Sequence, residues 1–165
     1  MNPTADWPAG FEPATTRVYA YNQIHTRLTP EQLWPVLIDA TRWPAWYRNA
    51  KDVVIDGGTA ELGAASRFTW TTFGLRVAST VREFEPCTRL GWEGAGRGST
   101  GYHRWDLQRT DNGGTLIVTE EVQGGIFATL LGPVVKRSIE KQHQHWLEKL
   151  LETAAARADA AGTGA

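Results

Sequence analysis

The sequence predicts an α+β domain: an antiparallel sheet of about seven strands with one long helix packed across a face. Three observations point there. Segments between residues 52 and 123 alternate apolar and polar positions, and the links joining them are short and rich in Gly, Pro, Asn and Asp. From Phe127 to Ala156 the apolar period changes to that of a helix.

The elements follow in order. Residues 17–27 alternate through Val18, Ala20 and Ile24 and predict a first strand. Thr29 is a suitable N-cap, Pro30 suits the first helical position, Gln32 completes a capping box, and Leu28 with Leu33 can staple the start. Pro35 should keep that helix short or kinked, ending near Ile38. Thr41 to Asn49 predicts a second short helix presenting Trp43, Trp46 and Tyr47 on one side. Strands are then expected at 52–56, 67–73, 75–84, 90–93, 101–109 and 115–123. Short links between them imply antiparallel neighbours. The final helix carries a stripe of Leu131, Val135, Ile139, Trp146, Leu150 and Ala154, with Lys141, His145, Glu148 and Glu152 opposite and a kink expected at Gly132-Pro133. Residues 1–16 read as a loosely ordered arm and 158–165 as a disordered tail, leaving a domain over 17–157.

Composition excludes several classes. The chain has 165 residues, 41% hydrophobic and 21% charged, with a net charge of -1. Its mean hydropathy is -0.37. A domain of this length buries about 70% of the surface its unfolded chain exposes, so a substantial core is available. No apolar run approaches a membrane span and no global field attracts nucleic acid, so neither stable membrane insertion nor nucleic-acid binding is expected. The single Cys87 cannot form an internal disulfide, and the first residues lack a basic and apolar leader pattern. The expected location is the cytoplasm. Eight tryptophans are the anomaly: either the core is unusually aromatic or indoles line a cavity.

The stretch from Gly96 to Gly101 spells G-x-G-x-x-G, but Tyr102 to Leu107 after it alternates like a strand, whereas a dinucleotide site needs a helix there. No zinc-protease, C-x-x-C, P-loop or G-x-S-x-G motif is present, and no cofactor is expected. His143 and His145 lie about 200° apart around a helix, so they cannot grip one ion together, and no metal is expected. His143, between Ile139 and Leu147, is either a packed histidine or a polar group facing a ligand. His103, Trp105 and Leu107 share one strand face and should point at the helix, as should the pairs Phe68 with Trp70 and Leu90 with Trp92. An inward His103 can orient or protonate a bound carbonyl or phenol, or be a satisfied core group. Glu120 and Glu121 must point to opposite faces, so one of them enters the interior as a candidate acid-base group or a structural ion-pair partner. Arg82, Glu83, Arg104 and Asp106 read as cross-strand surface pairs.

Leu28-Thr29-Pro30-Glu31-Gln32-Leu33-Trp34, leading to Trp43-Pro44-Ala45-Trp46-Tyr47, resembles the opening of the START-like, or SRPBCC, superfamily, which includes polyketide cyclases/dehydrases and pollen-allergen-type proteins. Gly63 before the strand of Phe68, Glu85-Pro86 before Leu90-Gly91-Trp92, Gly114-Thr115, and Glu121 four residues before Gly125 extend the resemblance over 17–157. It implies a helix-grip fold, with a curved sheet around the C-terminal helix and an apolar tunnel between them. The function so implied is binding of a small hydrophobic ligand, aromatic, polyketide-like or lipid, by a monomer or homodimer. Trp46, Phe68, Trp70, Trp92, Trp105, Leu107, Ile139, His143 and Trp146 are the expected walls. The alternative is a polyketide cyclase, aromatase or dehydrase working without metal or nucleotide, with His103, Glu121 and Tyr47 moving protons. A lipid-transfer or protein-interaction module is a further alternative, and a shuttle would expose apolar residues at its mouth, for which Trp43, Trp46 and Phe127 are candidates.

Overall fold

The computed structural model describes residues 7–162. Local signals set its first half. After strand β1 (Val18–Thr26) the Thr29 amide donates to Gln32 Oε1 at 2.9 Å, which starts helix α1 (Pro30–Ile38) at the capping box. A 3₁₀ turn over Ala40–Arg42 and the short helix α2 (Trp43–Trp46) follow. The indole of Trp43 is fully buried, donating from Nε1 to the Leu37 carbonyl at 3.0 Å. It is a core residue, which corrects its expected place at a mouth; its bulk is accommodated only where α1, α2 and the sheet converge.

Strands β2 (Lys51–Ile55), β3 (Arg67–Thr72), β4 (Leu75–Glu85), β5 (Arg89–Gly96), β6 (Ser99–Arg109) and β7 (Thr115–Gly125) complete a seven-stranded antiparallel sheet in the order β1-β7-β6-β5-β4-β3-β2. Its concave face holds the main core, including Phe68, Trp70, Trp92, Trp105, Leu107 and Ile117. Helix α3 (Ile126–Gly162) lies across it. Leu131 breaks the helical geometry with φ -126° and ψ 23°, two residues before Pro133, whose ring crowds the preceding turn and removes a hydrogen bond. Beyond the kink, Ile139, His143, Trp146, Leu147, Leu150 and Ala154 face the sheet. Leu131 itself is exposed, not part of the buried stripe, because the kink turns that first segment away from the core. The helix also continues through 158–162, where alanine-rich sequence sustains it, so the expected disordered tail is corrected there; residues 163–165 lie outside the described residues.

The convex face departs most from expectation. Arg104 and Asp106 are buried, not surface groups. Arg104 donates to both carboxylate oxygens of Glu83, at 3.0 and 2.9 Å from Nε and Nη2, while the Tyr102 hydroxyl donates to Glu83 Oε2 at 2.6 Å. Arg89 Nε donates to Asp106 Oδ1 at 2.6 Å. A register shift between Val81 and Glu83 turns Glu83 outward while letting Phe84 pack inward on Trp34. Gly91 leaves room for this network, since a Cβ there would lie 2.6 Å from Glu83 Oε2. The N-terminal segment covers it: Trp7 stands edge-on to Tyr102 and Tyr19 and lies 4.6 Å from the Arg104 guanidinium. From Trp7 onward the arm is therefore packed on the sheet rather than loose, held by aromatic and cation–π contacts; residues 1–6 lie outside the described residues.

Candidate functional site

Strand register brings the central groups together. Alternation along β6 sends His103, Trp105 and Leu107 toward α3, and His103 is paired directly with Glu121 on β7. Glu120, one residue earlier, points to the convex face, where the Tyr19 hydroxyl donates to it. From above, α3 lowers His143, whose Nε2 lies 2.8 Å from Glu121 Oε2. His103 Nδ1 is 3.5 Å from the same oxygen, and its Nε2 is 2.7 Å from Thr119 Oγ1. Gln123 Nε2 donates to Glu121 Oε1, and Gln123 Oε1 accepts the Ser99 hydroxyl at 2.7 Å. A chain of hydrogen bonds thus runs Ser99, Gln123, Glu121, His143.

All three ionisable groups are buried, with exposures of 4% for His103, 7% for Glu121 and 2% for His143. Burial alone would push the Glu121 carboxyl up. The hydrogen bond from His143, the two neighbouring imidazoles and the Gln123 amide overcome that and hold it at about 2. Burial, reinforced by repulsion from His143 and only partly offset by Glu121, lowers His103 to about 3. At neutral pH the pair is therefore a carboxylate beside a neutral imidazole. His143 Nδ1 has no hydrogen-bond partner. Burial raises the Tyr47 phenol well above its ordinary range, with the Asn49 bond opposing and the Glu121 charge adding to the rise. Tyr47 accepts from Asn49 Nδ2 at 3.2 Å, which leaves its own proton free to donate.

Two cavities meet here. A recess of about 60 Å³ is lined by Tyr47, Trp70, Ser79, Trp92, His103, Glu121, Gln123, His143 and Trp146 among others. A groove of about 380 Å³ lies beside it, formed by Phe73, Leu75, Phe127, Leu131, Val134, Val135, Ser138 and Ile139. Phe73, Ser99 and Gln123 belong to both. The recess is small, with room for a few atoms, and sets His103, Glu121, Gln123 and His143 among aromatic rings; the groove is apolar and within the roughly 300–1,000 Å³ range of small-molecule pockets. Gly125 closes the chain tightly at this rim, with φ +92° and a would-be Cβ 2.5 Å from the Gly98 carbonyl oxygen.

Of the expected site residues, His103, Glu121 and Tyr47 come together in the recess with Trp70, Trp92, Trp146 and His143, and Ile139 lines the groove. Trp46, Phe68, Trp105 and Leu107 line neither cavity. The last three are packed in the core, where Trp105 stacks under His103 at 5.5 Å and meets Trp146 edge-on at 5.2 Å. Strand parity identifies the inward face but not which inward residues touch a void. Gln123, Ser99 and Ser79 carry no motif that marks them; the first shares parity with Glu121 and is legible on that ground, the other two depend on strand pairing. Phe127 is exposed at the groove.

His103, Glu121 and His143 offer metal-ligand atoms within 4.8 Å of one another. The two imidazole rings, however, stack nearly parallel, with centroids 4.5 Å apart and planes 19° from each other. A ring nitrogen binds metal in its own plane, so an ion held well by one imidazole lies out of the plane of the other. Ligation by both requires one ring to turn. In this arrangement the cluster suits hydrogen bonding and proton transfer better.

Residues 17–157 match a family model described as polyketide cyclase / dehydrase and lipid transport. No curated protein matches the chain. Among solved structures, hypothetical protein jhp0584 from Helicobacter pylori is similar at 29% identity and TM-score 0.85, over 93% of this chain and 97% of that one. A START superfamily protein from Mycobacterium smegmatis is similar at 14% identity and TM-score 0.67, over 84% of this chain and 97% of that one. A Thermus thermophilus protein, TTHA0849, is similar at 18% identity and TM-score 0.69, over 84% and 98%. The latter two show the shared helix-grip fold. No helix of the described residues is long and apolar enough to cross a membrane.

Proposed function

The chain belongs to the polyketide cyclase / dehydrase and lipid transport family, a START-like group, and on that premise we propose that it binds a small hydrophobic molecule with one polar end. The apolar body occupies the groove beside the kinked start of α3, and the polar end enters the recess at Glu121 and His143. The observation that carries this reading is the pairing of a recess that holds Glu121 and His143 with an apolar groove through the shared rim of Phe73, Ser99 and Gln123. The test is titration with the neutral dye N-phenyl-1-naphthylamine. Saturable binding is expected, weakened at least about tenfold by Phe127→Asp, which places a charge on the apolar wall. No saturable binding, or binding indifferent to Phe127→Asp, overturns the reading.

A second reading has a specific observation behind it. The convergence of His103 and His143 on one carboxylate oxygen of Glu121 supports an acid-base enzyme of the polyketide cyclase or dehydrase type. In that version Glu121 and His143 exchange a proton with the substrate while Thr119 fixes the ring of His103. Turnover of an aromatic polyketide-like substrate, lost in Glu121→Gln with binding retained, separates this from binding alone.

A further inference from the structure

Neither cavity contains an arginine or a lysine among its described lining residues. The acidic residue there is Glu121, with His103 and His143 beside it. Of the basic residues adjoining lining positions, Lys136 donates to the Tyr19 carbonyl at 2.7 Å and to Glu140 at 2.5 Å, and Arg104 belongs to the convex network. The carboxylate is also unsaturated. It has about four acceptor positions, of which Gln123 occupies one and His143 another. The aromatic rings of Tyr47, Trp70, Trp92 and Trp146 line the same recess, and the face of an aromatic ring favours positive over negative charge.

We propose that the polar end of the bound molecule is a hydrogen-bond donor, a hydroxyl or a protonated amine, seated on Glu121, and that carboxylate-headed molecules are rejected. This rests on the binding reading above and specifies its ligand. A hydroxyl donates to a free position on Glu121 and accepts from Tyr47, whose proton is uncommitted. An ammonium gains the carboxylate inside an indole-lined recess. A carboxylate loses its hydration in the recess, finds no arginine or lysine there and meets the Glu121 carboxylate, so desolvation and repulsion act in the same direction.

The experiment is competition against bound N-phenyl-1-naphthylamine at pH 7 with four probes that share one ring system. They are 1-naphthol, 1-naphthylmethylamine, the acceptor-only 1-methoxynaphthalene and the anionic 1-naphthoate. One or both of the donor probes should compete at least about tenfold better than either of the others, and which donor leads distinguishes hydroxyl from ammonium recognition. In Glu121→Gln the discrimination against naphthoate should shrink at least about fivefold. Naphthoate or methoxynaphthalene competing as well as both donors overturns the proposal while leaving the binding reading intact. Failure of the dye itself to bind removes both. Should Glu121→Gln not fold, the ranking on the unmodified protein decides alone.

Discussion

Acid should destabilise this protein through His103 well before its carboxylates titrate. The imidazole is held neutral in the fold, its pKa lowered from 6.5 to about 3 by burial first and by His143 second. The unfolded chain takes up a proton below 6.5 that the native state refuses. Stability is therefore fully present above that pH and is lost as pH falls toward 3. Between pH 7 and pH 5 the linkage amounts to about 2 kcal/mol, which for a chain of this size is roughly 4–8 °C in Tm. Glu121, lowered from 4.5 to about 2, contributes with the same sign but only below its unfolded value, outside this window. The assay is urea unfolding followed by fluorescence at pH 7, 6 and 5, for the unmodified protein and for His103→Gln. The other histidines are present in both and largely cancel in the difference. The unmodified protein should lose about 2 kcal/mol more over this range than the variant does. Equal losses in the two proteins would refute the argument that burial keeps His103 neutral.

Two further outcomes are expected. Trp43→Ala removes an indole that touches Phe68, Trp70, Trp92 and Trp146, and it should cost about 3–5 kcal/mol in urea unfolding; a cost under about 1 kcal/mol would mean that the core collapses to fill the space. Trp7→Ala uncovers Arg104 and Tyr102 on the convex face, so stability should fall by about 2–4 kcal/mol with dye affinity unchanged within about twofold. A large loss of affinity there would connect the two faces of the sheet.

Much of the architecture was legible because its signals are local. Thr29 with Gln32 specifies the start of α1, Pro133 the kink of α3, and alternation the inward face of His103. The pairing of His103 with Glu121 was not legible, because which of two adjacent glutamates faces inward depends on the register between β6 and β7. That register is set by packing along both strands rather than by any short motif. The buried convex network was hidden for a different reason. A bulge after Val81 reverses the parity of Glu83, and the residues that cover Arg104 come from a segment about ninety positions earlier, whose Pro- and Ala-rich sequence has no periodicity of its own. The division between cavity wall and core was also beyond reach. Trp92 and Trp105 share inward orientation and composition, yet one borders the recess and the other is packed against His103 and Trp146.

The aromatic cluster has an optical consequence. Trp43, Trp70, Trp92 and Trp146 have ring centroids within 6.4 Å of one another wherever they are in contact. At such separations absorbed light hops between indoles faster than it is emitted, so the four behave as one antenna. His103, 4.7 Å from Trp92, sits at its edge. A quencher arriving at any single member dims the emission of all, and the protein carries a built-in reporter for events in the recess that needs no label.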